Sequence, residues 1–325
     1  MSRIFCFNLL VFSLLITDTL SAKKADKIRI GLCTDVHLAT MHDSKYRLTT
    51  FIDSMKIAKP DFIIELGDFE TPKKGFAAFF DIWDSFPGDK YHVIGNHEMD
   101  DGISRQTALE NRRMPKSYYS FNKNGFHFIV LDGNDPINPG KKGYKQFIGP
   151  EQIAWLKNDL EKTEFPVVIF SHQGLSHFQG ADEEYGVENY TQVELILETY
   201  NLKNPSRKVI ACFNGHTHND NAEQINGIWY ITITSMSYHW LGEKYAHVRY
   251  SADVDKSYKW IKYTAPFKEP LFTEVEISKK GFISIGGKKT EWVGPTPFEL
   301  GYPEKFKQTM RPAISARYLR FSLGK

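Results

Sequence analysis

The sequence has few cysteines and no excess of charge of either sign. Three cysteines in 325 residues exclude a small disulfide-stabilised scaffold. The 41 basic and 39 acidic residues leave a formal net charge of +2, which gives no overall field that would attract nucleic acid or an anionic membrane. We therefore expect no nucleic acid as a stable partner, and an anionic ligand would have to be captured locally.

Long apolar runs are also scarce. Residues 4–16 are almost wholly apolar and follow Arg3, but this run is shorter than the roughly 20 residues that span a bilayer. Small residues, Ser21 and Ala22, come after it, and this is the pattern of a cleavable signal peptide. We predict a signal peptide over residues 1–22, no transmembrane anchor after cleavage, and a secreted or periplasmic location. An uncleaved anchor is the alternative.

Two interpretations of the remaining cysteines stay open. Cleavage would remove Cys6 and leave Cys33 and Cys212, both at or within predicted buried strands. A free cysteine packs there as a small apolar side chain, so we favour two buried thiols. Secretion would permit a disulfide between them without requiring one.

Apolar runs alternate with helical patterns between Lys27 and about Phe213. Five runs bounded by polar residues or glycine are typical of buried strands. They cover residues 28–32, 62–66, 91–94, 167–170 and 209–213. Helical patterns cover residues 45–58, 76–85, 149–162 and 192–200. The Asn124-Gly125 step predicts a hairpin between two further runs, so we expect a layered α/β domain whose sheet is mixed.

Beyond His218 the pattern changes to short strands. We place them at residues 228–233, 247–251, 258–263, 272–277 and 282–285, and interpret them as a second sheet that packs on the first. From Gly286 onward prolines interrupt every candidate element. We therefore predict one domain over residues 27–285 and an irregular extension over residues 286–325 that packs on it. The end of this extension is either an edge strand or a docking segment.

Polar residues that can bind metal ions follow each of the five apolar runs. They are Asp35 and His37, Asp68, Asn96 with His97 and Glu98, His172, and the pair His216 and His218. Ligands bind beyond the carboxyl ends of strands in open α/β sheets, so these side chains can converge. The two pairs are spaced by two residues, which would point both members the same way on an extended strand.

The chemistry of these residues indicates a site for two divalent ions. Carboxylate, amide and imidazole groups without a thiolate suit Mn, Fe or Zn. Two ions roughly 3.5–4 Å apart can hold a phosphoryl group and neutralise its developing charge. Such a site needs a bridging carboxylate, and Asp68, directly after Gly67, is the candidate.

The ordered set Asp-x-His, Gly-Asp, Gly-Asn-His-Glu, a lone His after a strand, and Gly-His-x-His resembles the calcineurin-like metallophosphoesterase family over roughly residues 28–235. The resemblance implies a four-layer α/β/β/α sandwich with two mixed sheets. It also implies that Asp35, His37 and His218 hold the first metal ion and that Asn96, His172 and His216 hold the second. Asp68 would bridge the two ions, and His97 would stabilise the transition state or protonate the leaving oxygen.

The implied function is hydrolysis of a small phosphorylated substrate, in which a metal-bridging hydroxide attacks phosphorus in line. Glu70 stands near the place where many members carry a second Asp, and a Tyr typical of purple acid phosphatases is absent there. The segments at residues 118–121, 128–132 and 152–160 resemble the branch of manganese-dependent ADP-ribose and CDP-alcohol pyrophosphatases.

Several alternatives remain open at this point. Glu98 either orients His97 or caps the following turn. The segment at residues 236–240 either offers an aromatic face to a flat leaving group or packs in the second sheet. The fold could instead be a binding module that holds a phosphorylated ligand on metal ions without turnover. Preference for monoesters, diesters or pyrophosphates is decided by loops that the motifs do not specify.

Overall fold

The computed structural model describes residues 26–69, 77–136, 146–177 and 186–324. The predicted signal peptide at residues 1–22 lies outside these ranges. Within them, no helix has the length and the apolar character needed to cross a membrane.

The described residues form six α-helices, sixteen β-strands and four short 3-10 helices. The α-helices are α1 Ser44–Ala58, α2 Ala77–Asp84, α3 Arg105–Asn111, α4 Pro150–Lys162, α5 Tyr190–Lys203 and α6 Ala252–Ser257. The first eight strands are β1 Lys27–Cys33, β2 Phe62–Glu65, β3 Asp89–His92, β4 Tyr119–Lys123, β5 Phe126–Val130, β6 Val167–Phe170, β7 Val209–Asn214 and β8 Asn221–Ile225. The other eight are β9 Ile228–Thr232, β10 Tyr238–Trp240, β11 Thr264–Pro266, β12 Thr273–Ser278, β13 Phe282–Ile285, β14 Lys288–Lys289, β15 Ala313–Ile314 and β16 Arg317–Arg320. The 3-10 helices are His97–Gly102, Glu243–Tyr245, Ile261–Tyr263 and Glu304–Phe306.

Two six-stranded mixed sheets form the centre of the fold. The first, sheet I, has the strand order β16-β13-β12-β1-β2-β3, and the second, sheet II, has the order β4-β5-β6-β7-β9-β8. Strands β1, β2 and β3 run parallel in sheet I, and β5, β6, β7 and β9 run parallel in sheet II. Each sheet therefore presents the carboxyl ends of several strands at one edge.

Apolar packing stacks these elements in four layers. Side chains from both sheets share one buried cluster, in which Phe62 of sheet I meets Phe128 of sheet II with ring centroids 5.1 Å apart. On the outer face of sheet I, Phe51 of α1 packs near Trp83 of α2. Helices α4 and α5 cover the outer face of sheet II through a third cluster. The predicted α/β/β/α sandwich is confirmed.

The strands after His218 pair with other strands than the sequence pattern led us to expect. Strands β8 and β9 extend sheet II beside β7, and β12 pairs antiparallel with β1, placing Ile277 opposite Ile28. The expectation that the strands after His218 build a sheet of their own is therefore wrong. Apolar alternation identifies a strand that has one buried face, but it does not say which strand lies beside it.

Two predicted strands, at residues 247–251 and 258–263, are also wrong. Ser251 ends the first of them as the N-cap of α6, and its hydroxyl accepts a hydrogen bond from Val254 N. The second begins at Tyr258, the C-cap of α6, and contains the 3-10 helix Ile261–Tyr263. A capping serine followed by acidic residues in the first turn favours a helix, and this local signal outweighs the short apolar alternation.

The extension from residue 286 onward is more regular than expected. Strand β14 pairs with β15, and β16 forms the outer edge of sheet I beside β13. The end of the chain is thus the edge strand of the two alternatives. Cys33 and Cys212 are buried and free, in agreement with the interpretation as two thiols.

Candidate metal centre

The residues predicted to bind metal ions come together where parallel strands of the two sheets end. Asp35 and His37 follow β1, Asp68 follows β2, and Asn96 follows β3 in sheet I. His172 follows β6, and the pair His216 and His218 follows β7 in sheet II. Both sheets therefore contribute side chains to one crevice, as expected for ligand sites in α/β folds.

The backbone of these loops is not the extended chain that the spacing suggested. Asp35 and His37 have φ angles of 50° and 49°, and His216 and His218 have φ angles of 66° and 54°. This left-handed region costs a non-glycine residue energy and persists only where the surroundings enforce it. The paired residues converge because of two tight turns, and the period-two argument for them is wrong.

Hydrogen bonds between loops hold this backbone in place. Asp35 N donates to Gly67 O at 3.0 Å, and His37 N donates to Asp68 O at 3.0 Å. His216 N donates to Asp35 Oδ2 at 3.0 Å. Since these bonds join the first, second and fifth motifs directly, the strain of one loop is compensated by its neighbours.

A first group of ligand atoms comes from Asp35, His37 and His218. His218 Nε2 lies 3.2 Å from Asp35 Oδ1 and 3.2 Å from His37 Nε2. His37 Nε2 lies 3.8 Å from Asp35 Oδ1 and 4.0 Å from Asp68 Oδ2. The buried ligand atoms of Asp35, His37 and His218 all lie within 4.8 Å of one another, close enough for one cation to contact all three.

A second group comes from Asp68, His172 and His216. His172 Nε2 lies 3.0 Å from Asp68 Oδ2 and 3.1 Å from His216 Nδ1. Asn96 is 3% exposed. Its Oδ1 has no hydrogen-bond partner in the part of the chain that the structure describes. A buried oxygen without a partner is costly in a folded protein, and it suits a metal ligand.

The residues present fit two divalent ions that share one carboxylate. Asp68 Oδ2 lies within 4.0 Å of imidazole nitrogens in both groups, so Asp68 would help to hold both ions. Asp35 Oδ1 is a second buried oxygen without a hydrogen bond among the described residues. The donors are oxygen and nitrogen atoms only, which suits Mn, Fe or Zn. The assignment of each residue to one ion remains a prediction.

A shell of hydrogen bonds orients the ligand side chains. His172 Nδ1 donates to Leu66 O at 2.8 Å, and this bond turns Nε2 toward Asp68. His216 Nε2 lies 3.1 Å from the side-chain amide of Gln146, which turns Nδ1 toward His172. Thr34 Oγ1 donates to Asp35 Oδ2 at 2.6 Å. Such outer contacts set the ring orientation of metal-binding histidines.

The imidazoles of the site differ in the direction in which their pKa values are shifted. Burial lowers the pKa of His37 and of His216 to about 3, so both are neutral. Burial would also lower the pKa of His172, but the Asp68 carboxylate, first by charge and then by hydrogen bond, raises it to about 10. Burial would raise the pKa of Asp68, but the charges of His172 and His97 lower it instead. These interactions favour an ionised Asp68 beside a protonated His172.

His97 lies at the open side of the site. Its side chain is 36% exposed, whereas that of His172 is fully buried. Its backbone N donates to Asp68 Oδ1 at 2.9 Å, and its Nε2 lies 3.9 Å from Asp68 Oδ2. His97 also forms a third group of possible ligands with His37 and Asp68. We place it outside the ligand set because it is the exposed member.

Asp100 is one of the residues of this site that sequence reasoning missed. Its Oδ2 lies 2.6 Å from His97 Nδ1, which leaves Nε2 facing the site. Burial would lower the pKa of His97, but the charge of Asp68 and the hydrogen bond and charge of Asp100 raise it to about 9. The signal was available, because an acid three residues after a histidine reaches it within one helical turn.

Glu98 connects two loops of the site, a role different from orienting His97 or capping the following turn. Its carboxylate accepts hydrogen bonds from the backbone N atoms of Gly95 at 2.6 Å, Asp68 at 3.2 Å and Phe69 at 2.8 Å. Buried Arg112 binds the same carboxylate at 2.6 Å. Glu98 thus joins the loops after β2 and β3, while Asp100 orients His97.

The segment at residues 236–240, after β9, packs against α1, α2 and the candidate metal centre, while its contact with a leaving group stays a prediction. Met236 is buried in the cluster with α1 and α2. Tyr238 stacks on His37 with ring centroids 4.9 Å apart and lies 5.2 Å from the ring of His218. Trp240 is 45% exposed. The segment therefore packs at its beginning, supports two ligand rings at its middle and reaches solvent at its end.

Comparisons with known proteins agree with this architecture. The sequence matches the model of the calcineurin-like phosphoesterase family over residues 28–220. A dimetal phosphatase from Danio rerio has a similar structure, with 16% identity, coverage of 82% of this chain and 98% of that chain, and a TM-score of 0.55. GAP50, described as the anchor in the inner membrane complex of Plasmodium, shows 15% identity, coverage of 92% and 90%, and a TM-score of 0.53. At these identities the two likenesses show the fold alone. No curated protein sequence matches this chain.

Proposed function

This chain belongs to the calcineurin-like phosphoesterase family, and on that premise we propose that it hydrolyses phosphoric esters with two divalent metal ions. One observation carries the proposal. Two groups of buried candidate ligand atoms meet at Asp68 Oδ2, a carboxylate oxygen that lies within 4.0 Å of ring nitrogens of both His37 and His172.

The residues around the site divide the chemical tasks. When bound, two divalent ions would neutralise charge on the phosphoryl oxygens and lower the pKa of an attacking water. The charges of Asp68 and Asp100 raise the pKa of His97 and so favour its protonated form, which can donate a hydrogen bond or a proton to the leaving oxygen. Asp100 fixes the ring of His97 so that Nε2 faces the crevice.

We propose manganese as the working metal and secretion or export to a periplasm as the location. The oxygen and nitrogen ligand set supports manganese without distinguishing it from iron or zinc. The apolar run at residues 4–16 supports export. Metal analysis of protein purified from its host, with sequencing of its amino terminus, tests both: we expect bound manganese and a chain that starts near residue 23. A chain that still starts at Met1 would reject export through a cleaved signal peptide. A protein that holds only iron or zinc would reject manganese as the working metal.

We further propose that the substrate is a nucleotide-linked pyrophosphate, and an exposed aromatic cluster supports this class. Trp240 lies two residues beyond Tyr238 on β10, so both project from the same side of the strand. Its ring centroid lies 6.5 Å from that of Trp260 and 6.1 Å from that of Tyr263. Because Tyr238 contacts His37 at the metal centre, this cluster can stack the base of a substrate whose phosphates bind the metal ions.

Two lysines add positive charge to the cluster. Lys259 Nζ lies 4.9 Å from the ring centroid of Trp260, and Lys262 Nζ lies 5.4 Å from that of Tyr263. Ammonium groups beside an indole and a phenol ring favour a ligand that is both flat and anionic.

A comparison of two substrates tests this class. Trp240→Ala should raise KM for ADP-ribose about tenfold, because stacking of a base on an aromatic side chain contributes about 1–3 kcal/mol. KM for p-nitrophenyl phosphate should not change. Leu202→Ala, which removes an 86% exposed side chain on α5, is the control. Unchanged constants for ADP-ribose would reject the nucleotide class and leave the phosphoester hydrolase in place.

A metal-containing binding module without turnover is the second candidate. In its favour, one protein of this fold, GAP50, is described as an anchor. Against it, the ligand groups are accompanied by His97 and its partner Asp100, which a binding site would not need. A protein that retains about two bound ions and hydrolyses neither model esters nor ADP-ribose would favour the binding module.

A further inference from the structure

The last residue of the region that matches the family, Asp220, is held by the C-terminal extension. It lies two residues after His218 and is 2% exposed. Arg317 Nη1 donates to Asp220 Oδ1 at 2.5 Å, and Arg311 Nη2 donates to Asp220 Oδ2 at 3.0 Å. Ser315 N donates to the same Oδ2 at 3.0 Å. These partners of the carboxylate all come from residues 311–317, outside the matched region.

The backbone N of Asp220 is also hydrogen-bonded to the C-terminal extension. Asp220 N donates to Thr309 O at 3.0 Å. Thr309 lies between Phe306 and Met310, which are buried in a cluster with Leu241. The extension therefore offers Asp220 a fixed carbonyl as well as two guanidinium groups.

The arginines themselves come from well-anchored positions. Arg317 is the first residue of β16, which pairs with β13 at the edge of sheet I. Arg311 lies just before β15, which pairs with β14. The Arg317 side chain is 14% exposed and that of Asp220 is fully buried. In such surroundings, removing Arg317 takes away one of the two guanidinium groups that balance a buried carboxylate, which is destabilising.

Asp220 ends the loop that follows β7, at residues 215–220, and the backbone of this loop must be held by contacts with its surroundings. It carries both His216 and His218 in the left-handed backbone region, which persists only where several contacts enforce it. At its beginning, Gly215 N donates to His172 O at 3.1 Å. Near its middle, Thr234 Oγ1 donates to His218 O at 2.6 Å. The end of the loop depends on Asp220.

We infer that the C-terminal extension is a positioning element of the metal centre, because Arg317 and Arg311 fix Asp220 and thereby the loop that carries His216 and His218. This inference rests on the proposed dimetal site. His216 belongs to the second ligand group and His218 to the first, so release of Asp220 should weaken the binding of both ions.

Manganese binding by the full chain tests the inference. Arg317→Ala should weaken Mn²⁺ binding about 10- to 100-fold, the usual effect of losing an outer contact of a metal site. Arg320→Ala is the matched control, since Arg320 lies on the same strand with its guanidinium 5.7 Å from the ring of Tyr318. The affinity should be measured by calorimetry well below the unfolding temperature, so that loss of stability alone does not change it.

The outcomes separate a positioning role from a purely structural one. The inference predicts that excess Mn²⁺ restores the turnover of Arg317→Ala toward the wild-type value. Wild-type Mn²⁺ affinity in Arg317→Ala would overturn the inference, whatever its unfolding temperature.

A second variant keeps the test decisive if Arg317→Ala does not fold. Asp220→Asn keeps the shape of the side chain while removing its charge, and it should also weaken Mn²⁺ binding at least tenfold. Unchanged affinity in this variant would likewise overturn the inference. A wild-type protein that binds Mn²⁺ and lacks turnover would reject the proposed hydrolase and still permit this comparison.

Discussion

The surroundings of His172 favour its protonated form, because its two ring nitrogens face two acceptors. Nδ1 contacts Leu66 O at 2.8 Å and Nε2 contacts Asp68 Oδ2 at 3.0 Å. Burial opposes the charge, but the Asp68 carboxylate raises the pKa of His172 to about 10. A metal ion needs the unprotonated Nε2, so metal binding must displace this proton.

The first prediction is that Mn²⁺ binding releases about one proton and tightens with pH. His37 and His216 are already neutral, since their pKa values are about 3. Between pH 6.5 and 8.5, which lies below the pKa of His172, the affinity should rise about tenfold per pH unit. Calorimetry in two buffers of different ionisation enthalpy measures the proton. An affinity independent of pH, with no proton released, would contradict this account of His172.

The second prediction concerns Asp100. His97→Ala should lower turnover about 10²- to 10⁴-fold while the metal ions stay bound. Asp100→Ala should lower it by a smaller factor, because His97 remains but is no longer oriented. Asp100 raises the pKa of His97, so its removal should also move the alkaline fall in activity to lower pH.

Asp101→Ala is the control for Asp100, since it removes the neighbouring, exposed acid. Rates of both variants should be measured from pH 6 to 10 with metal content recorded for each sample. A pH profile of Asp100→Ala that coincides with that of the wild type would contradict the assigned role.

The convergence of the candidate ligand residues could be predicted because they follow the ends of strands, whereas their binding of metal ions stays a prediction. Asp68 and His172, for example, are recognised from sequence alone, and the structure places them 3.0 Å apart. The backbone conformation that brings Asp35 and His37 together could not be predicted. Their left-handed φ angles depend on hydrogen bonds to the loop after β2, which is remote in sequence.

At the scale of elements, the turn after β3 organises two metal-binding loops. Glu98, in the 3-10 helix His97–Gly102, accepts hydrogen bonds from the backbone N atoms of Gly95, Asp68 and Phe69. Arg112, just after α3, balances its charge. This element therefore connects the loop of the bridging carboxylate to the loop of His97.

The third prediction is that Glu98→Ala destabilises the fold by about 3–5 kcal/mol. The change leaves Arg112 buried without its carboxylate and removes the acceptor of three backbone groups. Urea unfolding in the presence of a chelator measures this loss apart from metal binding. His97→Ala is the control and should cost far less, because its side chain is partly exposed. Equal stabilities of the two variants would contradict the role of Glu98.

Helices and strands with a long apolar pattern or a clear start residue could be predicted from the sequence, and short elements without these features could not. Helix α4 begins at Pro150, and β6 covers Val167–Phe170 as the apolar run indicated. The segment 258–263 was predicted as a strand from a few apolar residues, but it follows a helix capped by Ser251. Periodicity over six residues is too short to separate these two structures.

At the scale of the whole molecule, both sheets combine strands from distant parts of the chain. Ile30 of β1 lies opposite Val275 of β12, and β16 completes sheet I beside β13. Such pairing depends on which apolar faces meet in three dimensions, so the sequence pattern could not specify it. The same long-range arrangement brings the C-terminal extension to Asp220 beside the metal centre.

The fourth prediction follows from the convergence of both sheets on Asp68. After removal of metals with a chelator and reconstitution with Mn²⁺, the wild-type protein should hold about two ions per chain and hydrolyse bis-p-nitrophenyl phosphate. Chelator should abolish this activity. Asp68→Ala should lose both the pair of ions and the turnover, because the two ligand groups no longer share an oxygen.

Metal content and turnover, measured on the same samples of wild type and Asp68→Ala, therefore test the central claim most directly. Loss of both properties in Asp68→Ala, with chelator-sensitive turnover in the wild type, is the result that a dimetal phosphoesterase predicts. An Asp68→Ala protein that keeps two ions and full turnover, or a wild-type protein that works in the presence of chelator, would contradict it.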